Sequence, residues 1–370
     1  MPTRHDDTPF LPRKILLIKL RHHGDMILTT PVINNLRQHY PAAEIDVLLY
    51  KETAPILAHH PAIGQIHVID RQWKKQGPLR QLEQEFALAQ TLRARHYDLV
   101  INLADQWRSA IITLLSGARL RIGFNFTKRR SFLWRLAHNR LVATSNHAQL
   151  HTVEQNLSIL EPLNLAITDR SCSMYFTAAD KVRGETLLRE QGVSGDYIVI
   201  QPTSRWLYKC WDDAKMAQLI EGLATSRLPV VLTAAPDKKE LEMVDHIISL
   251  CRAVKPVSLA GQLSLPQLAA VIEGARLFIG VDSAPMHMAA ALDTPCVALF
   301  GPTKLQRWRP WSEKSTVLWA GDYAELPDPD TIDTQTRQRY LSAIPLEPVL
   351  TAARGYLSAP DPLTVRDLAP

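Results

Sequence analysis

Apolar and polar positions alternate along the chain in blocks that predict strands and helices in turn. In the first half, continuous apolar runs typical of strands buried on both faces cover residues 14–20, 44–50, 65–69 and 98–103. Segments with helical spacing separate or follow them, at residues 26–40, 54–60, 78–95, 107–115 and 151–160. Strands that alternate with helices in this way predict a parallel α/β sheet.

The same alternation restarts after a polar stretch at residues 161–178, which we interpret as an interdomain linker. Strands are predicted at residues 196–201, 229–233, 257–259, 275–280 and 295–300. Helices are predicted at residues 178–191, 213–225, 240–251, 265–274, 288–292 and 350–358, the last after a stretch rich in proline. We therefore expect two Rossmann-like domains, residues 1–176 and 177–345. Residues 346–370 form a C-terminal helix and tail, a candidate to pack back on the N-terminal domain.

Composition narrows the class of protein. A chain of 370 residues, 46% hydrophobic and 21% charged, is long enough for two buried cores. Its four cysteines form no CxxC pair, which favours reduced thiols in a cytosolic protein. No signal peptide and no apolar run of about 18–20 residues is present, so we expect a soluble or peripheral protein. The net charge of +5 suggests an acidic partner: nucleic acid, anionic lipid or a phosphorylated ligand.

An acidic residue, Asp25, follows the first predicted strand, where Gly24 and Asp25 begin a predicted helix. No GxGxxG, GxxxxGK[ST] or GxSxG motif occurs, which disfavours nicotinamide, P-loop and serine-hydrolase chemistry. Asp25 is either a plain helix-capping acid or a general base. The neighbouring His22 and His23 lack a third ligand at short spacing, so we predict no metal site.

Two stretches of the second half are candidates for a phosphate site. Residues 281–287 (VDSAPMH) pass from a predicted strand into a helix, where free N–H groups and the helix dipole favour anions. Thr203 and Ser204 follow another strand, and Lys209 adds a mobile positive charge suited to a leaving diphosphate. An ordinary capped helix and a polar surface loop are the alternative interpretations. Together with Asp25, these groups favour transfer of a group from a nucleotide diphosphate.

A basic segment at residues 118–140 interleaves arginines with aromatic residues and contains no acid. It is suited to nucleic acid, to a phosphorylated glycolipid at an anionic membrane face, or to a simple solvated surface. No nucleic-acid-binding motif accompanies it, and we therefore predict no nucleic-acid partner.

Two motifs carry a resemblance to a known family. KILLIKLRHHGDMILTTPVINNLRQHYP (residues 14–41) resembles the opening of the bacterial ADP-heptose–lipopolysaccharide heptosyltransferases, of glycosyltransferase family 9. FIGVDSAPMHMAAALDTPCVALFGPT (residues 278–303) resembles their donor-site signature. The resemblance implies a GT-B fold, in which two Rossmann-like domains face each other across a cleft. It also implies an inverting mechanism without a metal or other cofactor.

The resemblance implies roles for particular residues. Asp25 is the expected catalytic base and Lys209 the second catalytic residue. The expected donor contacts are Thr203, Ser204, Lys209, Leu263, Asp282, Ser283, Ala284 and His287. Candidate acceptor contacts are Arg119, Arg121 and His151. An acidic ribose contact is expected after the strand at residues 229–233, and both Asp237 and Glu240 are candidates.

The implied reaction moves a heptose from ADP-L-glycero-β-D-manno-heptose onto the lipopolysaccharide inner core. The likeness is strongest to the member that adds a side-branch heptose to the second heptose. Another inner-core position, or a different nucleotide sugar, is the alternative. Binding of RNA or anionic lipid without catalysis is a third, less favoured possibility. The implied location is cytoplasmic, peripheral to the inner membrane.

Overall fold

Each half of the described chain is built on a six-stranded, fully parallel sheet. The computed structural model describes residues 10–129 and 131–358. The chain divides into two compact units, Met1–Ser171 and Cys172–Pro370. The boundary predicted at residue 176 lies a few residues later than this division.

The first unit contains strands β1 to β6 and helices α1 to α7. The strands are Lys14–Ile18, Glu44–Tyr50, Ile63–Ile69, Leu99–Asn102, Leu120–Asn125 and Arg140–Ala143. The helices are His23–Ile27, Thr30–His39, Ala54–Leu57, Pro78–Ala94, Trp107–Leu115, Phe132–Ala137 and Thr152–Leu157. Strands β5 and β6 and helix α6 lie in or at the end of the basic segment, where no regular element was predicted.

The second unit contains strands β7 to β12 and helices α8 to α14. The strands are Ile198–Gln201, Val230–Leu232, Val257–Ser258, Leu277–Val281, Cys296–Phe300 and Ser315–Trp319. The helices are Ala178–Glu190, Asp213–Gly222, Lys238–Leu250, Leu265–Glu273, Ala284–Ala291, Leu305–Trp308 and Leu346–Ser358. Strand β12 was not predicted, because it is a short edge strand whose side chains are all only partly buried.

Both sheets reverse their strand order next to their first strand. The order is β3-β2-β1-β4-β5-β6 in the first unit and β12-β11-β10-β7-β8-β9 in the second. The connections leave β1 in one direction and return to its other side as β4. In the same way, β7 is flanked by β8 and β10. Ligands of open parallel sheets bind beyond the carboxyl ends of the strands at such a reversal. The fold therefore marks one such place in each unit.

The C-terminal helix α14 packs within the second unit. Val349, Leu350 and Ala353 belong to its hydrophobic core. Leu350 lies so close to Gly222 of α9 that a Cβ there would stand 2.7 Å from Leu350 Cδ2. The apolar side of the helix is thus occupied inside its own unit, whereas the sequence had suggested a return to the N-terminal domain. The tail at residues 359–370 lies outside the described residues.

Candidate functional site

A nearly buried ion pair lies beyond the strand reversal of the second unit. Lys209 Nζ donates to Asp282 Oδ2 at 2.6 Å, and the side chains are only 13% and 6% exposed. Asp282 directly follows β10, and its N–H donates to the carbonyl of Leu299 in β11. Lys209 ends a 3₁₀ turn in the loop after β7. The pair therefore ties that loop to the end of β10.

Thr303 holds the same carboxylate oxygen from a third strand. It lies just beyond β11, and its hydroxyl donates to Asp282 Oδ2 at 2.6 Å. Two donors thus converge on Oδ2, while Oδ1 accepts no hydrogen bond from the described residues. The arrangement orients the carboxylate and leaves one oxygen for an incoming hydroxyl group. Thr303 was not identified from the sequence as a site residue. Its position at the end of the second motif, just after a predicted buried strand, could have indicated it.

A chain of hydrogen bonds between side chains runs from β8 to helix α10. Thr233 donates to Gln201 Oε1 at 2.7 Å, and Gln201 donates to the hydroxyl of Thr203 at 2.9 Å. The fully buried Thr203 in turn donates to Glu240 Oε2 at 2.6 Å. The N–H of Ala235 also donates to this oxygen, at 3.2 Å. Thr203 therefore positions Glu240 in this state of the protein.

The structure separates the two acids that the sequence left as alternatives. The side chain of Asp237 caps α10, accepting from the N–H groups of Lys239 and Glu240 at 3.0 and 3.4 Å. Its carboxylate is thus used by the helix start. Glu240 lies in the first turn of α10, and its carboxylate faces Thr203 at the end of β7. Glu240 is the acid placed beside the strand reversal.

The N-terminus of α12 adds backbone donors at the same edge of the sheet. Ser283 caps this helix, and Ala284 is its first residue. The N–H groups of a first helical turn have no intrahelical acceptor and carry partial positive charge. The hydroxyl oxygen of Ser283 is buried and has no hydrogen-bond partner among the described residues. These groups suit an oxyanion, and His287 lies buried one turn further along the helix.

The remaining predicted donor residues lie in two loops. Leu263 follows β9 and is partly buried just before Ser264, which caps α11. Ser204 is partly buried next to Thr203, and its carbonyl accepts from the thiol of Cys210 at 3.8 Å. Burial raises the pKa of that thiol to about 11, so Cys210 stays protonated and anchors the loop. The structure thus brings Thr203, Lys209, Asp282, Ser283 and Ala284 to one edge of the sheet.

In the first unit, Asp25 lies beyond the carboxyl end of β1. It is the third residue of the short helix α1, and its side chain is largely buried. The N–H of His22 donates to Asp25 Oδ2 at 3.3 Å. Thr29 donates to the backbone carbonyl of Asp25 at 2.7 Å, which fixes the end of this turn. Asp25 therefore serves the helix start, which is one of the two interpretations of the sequence, and its carboxylate accepts one long hydrogen bond from the described residues.

A buried lysine next to Asp25 was not recognised from the sequence. Lys19 Nζ donates to Asn156 Oδ1 at 2.9 Å, and Asn156 donates to the carbonyl of Leu28. Burial lowers the pKa of Lys19, and the charges of Asp25 and Asp105 oppose this effect. The sequence could have indicated Lys19, because it is a charged residue inside the apolar run at residues 14–20.

Asp105 draws several positive charges to the same edge of the first sheet. It follows β4 and forms ion pairs with Lys128 and, at 3.4 Å, with Arg21. Arg129 donates to its backbone carbonyl at 2.7 Å. Burial raises the pKa of Asp105, but the hydrogen bond from Lys128 and the charge of Arg21 outweigh burial and lower it below its ordinary value. The edge beside Asp25 is thus rich in cations suited to an anionic ligand.

Two of the three predicted acceptor residues lie away from Asp25. Arg119 and Arg121 are at the amino end of β5, the opposite edge of the sheet from Asp25. The guanidinium of Arg121 donates to the carbonyls of Ala118 and Ala137 and is thus used in the fold. His151 caps α7, accepting from the N–H of Val153 at 3.2 Å. Only His151 is connected to the edge that holds Asp25, through Asn156 on the same helix.

The described residues contain neither a cluster of metal ligands nor a membrane-spanning helix. Residues 10–129 and 131–358 contain no group of three or more His, Cys, Asp or Glu side chains placed to hold a metal ion. No helix in the same ranges is both long and apolar enough to cross a bilayer.

Comparison with known proteins gives consistent matches. The model of glycosyltransferase family 9 (heptosyltransferase) matches residues 85–337. Lipopolysaccharide heptosyltransferase 3 of Escherichia coli is 43% identical over 333 residues, covering 90% of this chain and 96% of that protein. These matches are to the family that the two sequence motifs resemble.

Solved structures match the fold. The family 9 glycosyl transferase from Veillonella parvula DSM 2008 has a TM-score of 0.79 at 22% identity, covering 93% of this chain and 97% of that one. The Escherichia coli heptosyltransferase WaaC with ADP has a TM-score of 0.74 at 22% identity, covering 93% and 99%. The prediction of two parallel-sheet α/β domains of GT-B type is therefore confirmed.

Proposed function

This chain belongs to glycosyltransferase family 9, and we propose that it transfers heptose from ADP-L-glycero-β-D-manno-heptose to the second heptose of the lipopolysaccharide inner core. It is a glycosyltransferase by its family. The proposal for donor and acceptor draws on the lipopolysaccharide heptosyltransferase 3 of Escherichia coli, which is alike over nearly the full length of both chains. Among observations of the fold, the Lys209–Asp282 pair beside the N-terminus of α12 carries it.

The second unit holds the donor in this proposal. The diphosphate lies at the start of α12, against the N–H groups of Ser283 and Ala284, where the helix dipole favours anions. The unpartnered hydroxyl of Ser283 supplies a further donor to it. Lys209 stabilises the charge that develops as ADP departs.

Asp282 contacts the sugar. A carboxylate is a poor ligand for phosphate, but its free Oδ1 is a good acceptor for heptose hydroxyls. Glu240 accepts from the ribose hydroxyls in the same way, and its carboxylate is already oriented by Thr203. Leu263 contributes to an apolar wall for the adenine.

Asp25 in the first unit acts as the base. The acceptor hydroxyl gives its proton to Asp25 as its oxygen bonds to the anomeric carbon of heptose. The bond from that carbon to the β-phosphate oxygen breaks, and ADP leaves with the electron pair. Attack opposite the leaving group inverts the anomeric configuration. Lys19 and Arg21 supply positive charge for the phosphorylated inner core.

Charge neutralisation by Lys209 and backbone N–H groups takes the place of a metal in this mechanism, and we propose that no metal or other cofactor is required. We also propose that the protein works at the cytoplasmic face of the inner membrane as a peripheral protein, where its acceptor is made.

Donor turnover with purified inner-core acceptors tests the proposal. ADP release is expected with an acceptor that carries two heptoses and not with acceptors that carry none or one. Transfer to a one-heptose acceptor instead would move the reaction to another inner-core position. Turnover of other nucleotide sugars in preference to ADP-heptose would replace the donor. Retained activity in EDTA is expected, and its loss would contradict metal independence.

A further inference from the structure

Helix α5 turns its more apolar side outward. Trp107, Ile111, Leu114 and Leu115 are exposed, and their spacing places them on one side of the helix. The opposite side buries the apolar residues Ala110 and Ile112, together with Ser109 and Thr113, which form hydrogen bonds within the unit. A surface helix of a globular protein normally has the reverse arrangement. The exposed side of α5 is therefore suited to an apolar environment other than its own core.

The two neighbouring helices extend this surface. In α6, Phe132 and Leu133 are 75% and 62% exposed, and Leu136 is exposed one turn later. Trp107 of α5 contacts Trp134 of α6 edge to face, with ring centroids 5.8 Å apart. In this way α5 and α6 form one surface.

Helix α4 lies against the other flank of α5. Arg108 of α5 forms an ion pair with Glu85 of α4, and Arg93 of α4 donates to the carbonyl of Leu115 at 3.5 Å. Its exposed apolar residues are Leu79, Leu82 and Phe86. Of the fifteen large apolar side chains that are exposed within the described residues, ten belong to α4, α5 and α6. We call these ten side chains the α4–α6 face.

Positive charge borders α5 and α6 in the α4–α6 face, whereas α4 carries two arginines and two glutamates. Residues 107–140 contain eight lysines and arginines and no aspartate or glutamate. Arg119, Arg135 and Arg140 are exposed and form no ion pair with a carboxylate of residues 10–129 or 131–358. Arg129 lies over the ring of Trp107, at 5.3 Å from its centroid. The surface thus combines apolar side chains with a cationic border.

We propose that the α4–α6 face docks on an anionic lipid bilayer, with its apolar side chains in the headgroup region and its arginines against lipid phosphates. Amphipathic surfaces with basic borders bind such membranes in this way. A second copy of the chain is disfavoured, because a symmetric contact would bring the same positive border against itself. Seven of the ten side chains of the face are aliphatic and offer nucleic acid no stacking platform, which disfavours RNA.

The face begins at the edge of the sheet that holds Asp25. Trp107 follows Asp105 by two residues, and Arg129 connects the two by donating to the Asp105 carbonyl while lying over the Trp107 ring. A bilayer docked here lies next to the site proposed for a lipid-borne acceptor. The bilayer partner is argued from charge and exposed apolar residues alone; its benefit to catalysis rests on the proposed function.

Flotation of the full-length chain with lipid vesicles tests the inference. The parent is expected to float with phosphatidylethanolamine–phosphatidylglycerol vesicles, to be released by salt, and to bind neutral phosphatidylcholine vesicles far less. Phe132→Gln/Leu133→Gln/Leu136→Gln and Arg135→Gln/Arg140→Gln should each lower the bound fraction about ten-fold. Val182→Gln/Arg183→Gln, on an exposed part of α8, is the matched control and should bind as the parent does.

Each contrary outcome overturns the inference. These are failure of the parent to float, equal flotation with neutral vesicles, or variants that float like the control. A face that serves self-association would show a dimer of the parent that the α6 variant abolishes, in sedimentation without lipid. A face for nucleic acid would show the parent binding an RNA oligonucleotide at concentrations where vesicles are not bound.

Activity separates this inference from the proposed function. With a deacylated, water-soluble acceptor the α6 variant should turn over ADP-heptose like the parent, whereas with the acceptor in vesicles its turnover should fall about ten-fold. Absence of turnover by the parent with both acceptors contradicts the proposed function alone. Equal turnover by variant and parent with both acceptors contradicts the docking surface alone.

Discussion

Lys209 Nζ lies 2.6 Å from Asp282 Oδ2, so a residue expected at the phosphates and a residue expected at the sugar are paired with each other. The pair is nearly buried, and Thr303 donates to the same carboxylate oxygen. In a partly dehydrated site, a lysine held by one carboxylate is oriented before its ligand arrives. We infer that the pair keeps the lysine in place and limits its mobility between turnovers.

Lys209→Met should lower kcat for heptose transfer about 10²- to 10³-fold, the cost of losing one charge-stabilising donor in a dehydrated site. ADP binding should weaken much less, since the N–H groups of α12 remain. Steady-state kinetics and ADP titration measure the two effects. Lys304→Met, which removes an exposed lysine paired with Asp330, is the matched control and should leave kcat unchanged. A kcat within a few-fold of the parent would remove Lys209 from the mechanism.

Thr303→Val should raise the KM for the donor at least about ten-fold, because loss of one hydrogen bond to a charged carboxylate costs about 1.5–3 kcal/mol. The change is isosteric, so it removes the donor to Asp282 without opening a cavity. Thr303→Ser keeps the hydroxyl and should restore most of the affinity. A pure packing role predicts instead that valine is harmless and serine is the worse substitution. Initial rates at varied donor concentration distinguish these patterns.

Glu240→Gln and Asp237→Asn should have opposite signatures. Glu240→Gln should weaken ADP binding about ten-fold, because a charged acceptor for the ribose hydroxyls becomes a neutral amide. Asp237→Asn should leave ADP affinity unchanged, since asparagine also caps helices well. Isothermal titration with ADP measures both. Weaker binding by the Asp237 variant alone would assign the ribose to that acid.

Asp25→Asn should abolish transfer, with kcat at least about 10³-fold lower, while ADP affinity stays at the parental value. Asparagine can still accept the hydrogen bond from the N–H of His22, so the start of α1 should persist. Single-turnover measurement of product, with ADP titration as the control for folding, tests this. Substantial residual transfer would leave Asp25 with only its helix-capping role.

The central strands and the family could be predicted from the sequence. Strands β1 and β10 are fully or nearly fully buried, which is why each forms a continuous apolar run that predicts a strand. The family resemblance, carried by two motifs, is confirmed by the family match and the 43% identical relative. Residues that follow those strands, such as Asp25 in the next helix and Asp282 in the next position, could therefore be found by their order along the chain.

Partners that come together only through folding could not be predicted. Strand β5 was missed because Arg121 interrupts its apolar pattern, yet that arginine is satisfied by backbone carbonyls at the end of its strand. The bond from Thr203 to Glu240 joins residues 37 positions apart. The ion pairs of Asp105 depend on the packing of β4 beside β5. Contacts between residues that are far apart in the chain produce no periodic pattern from which they could be predicted.

His138 makes stability of the protein sensitive to acid. Its ring Nδ1 lies 2.8 Å from the carbonyl of Trp134 and its Nε2 lies 3.0 Å from Asn102 Nδ2, so Nδ1–H donates and unprotonated Nε2 accepts. A proton on Nε2 would face the amide donor. Burial, with a smaller contribution from the nearby charge of Arg121, lowers the pKa of His138 from 6.5 to about 4, against the opposing effect of the Trp134 hydrogen bond.

The sign of the pH effect follows from this lowered pKa. The unfolded chain takes up a proton at His138 below about pH 6.5, whereas the folded chain does so only near pH 4, so acid favours unfolding. The contribution of neutral His138 to the free energy of unfolding is fully present above pH 6.5 and is lost between pH 6.5 and 4. The loss at pH 5 amounts to about 2 kcal/mol. His138→Asn can keep a side-chain N–H for the Trp134 carbonyl and fits beside Gly123, where the histidine ring leaves no room for a Cβ. Urea denaturation from pH 8 to pH 5 should therefore show a smaller acid-induced loss in this variant. An equal loss in variant and parent would assign the acid sensitivity to other groups.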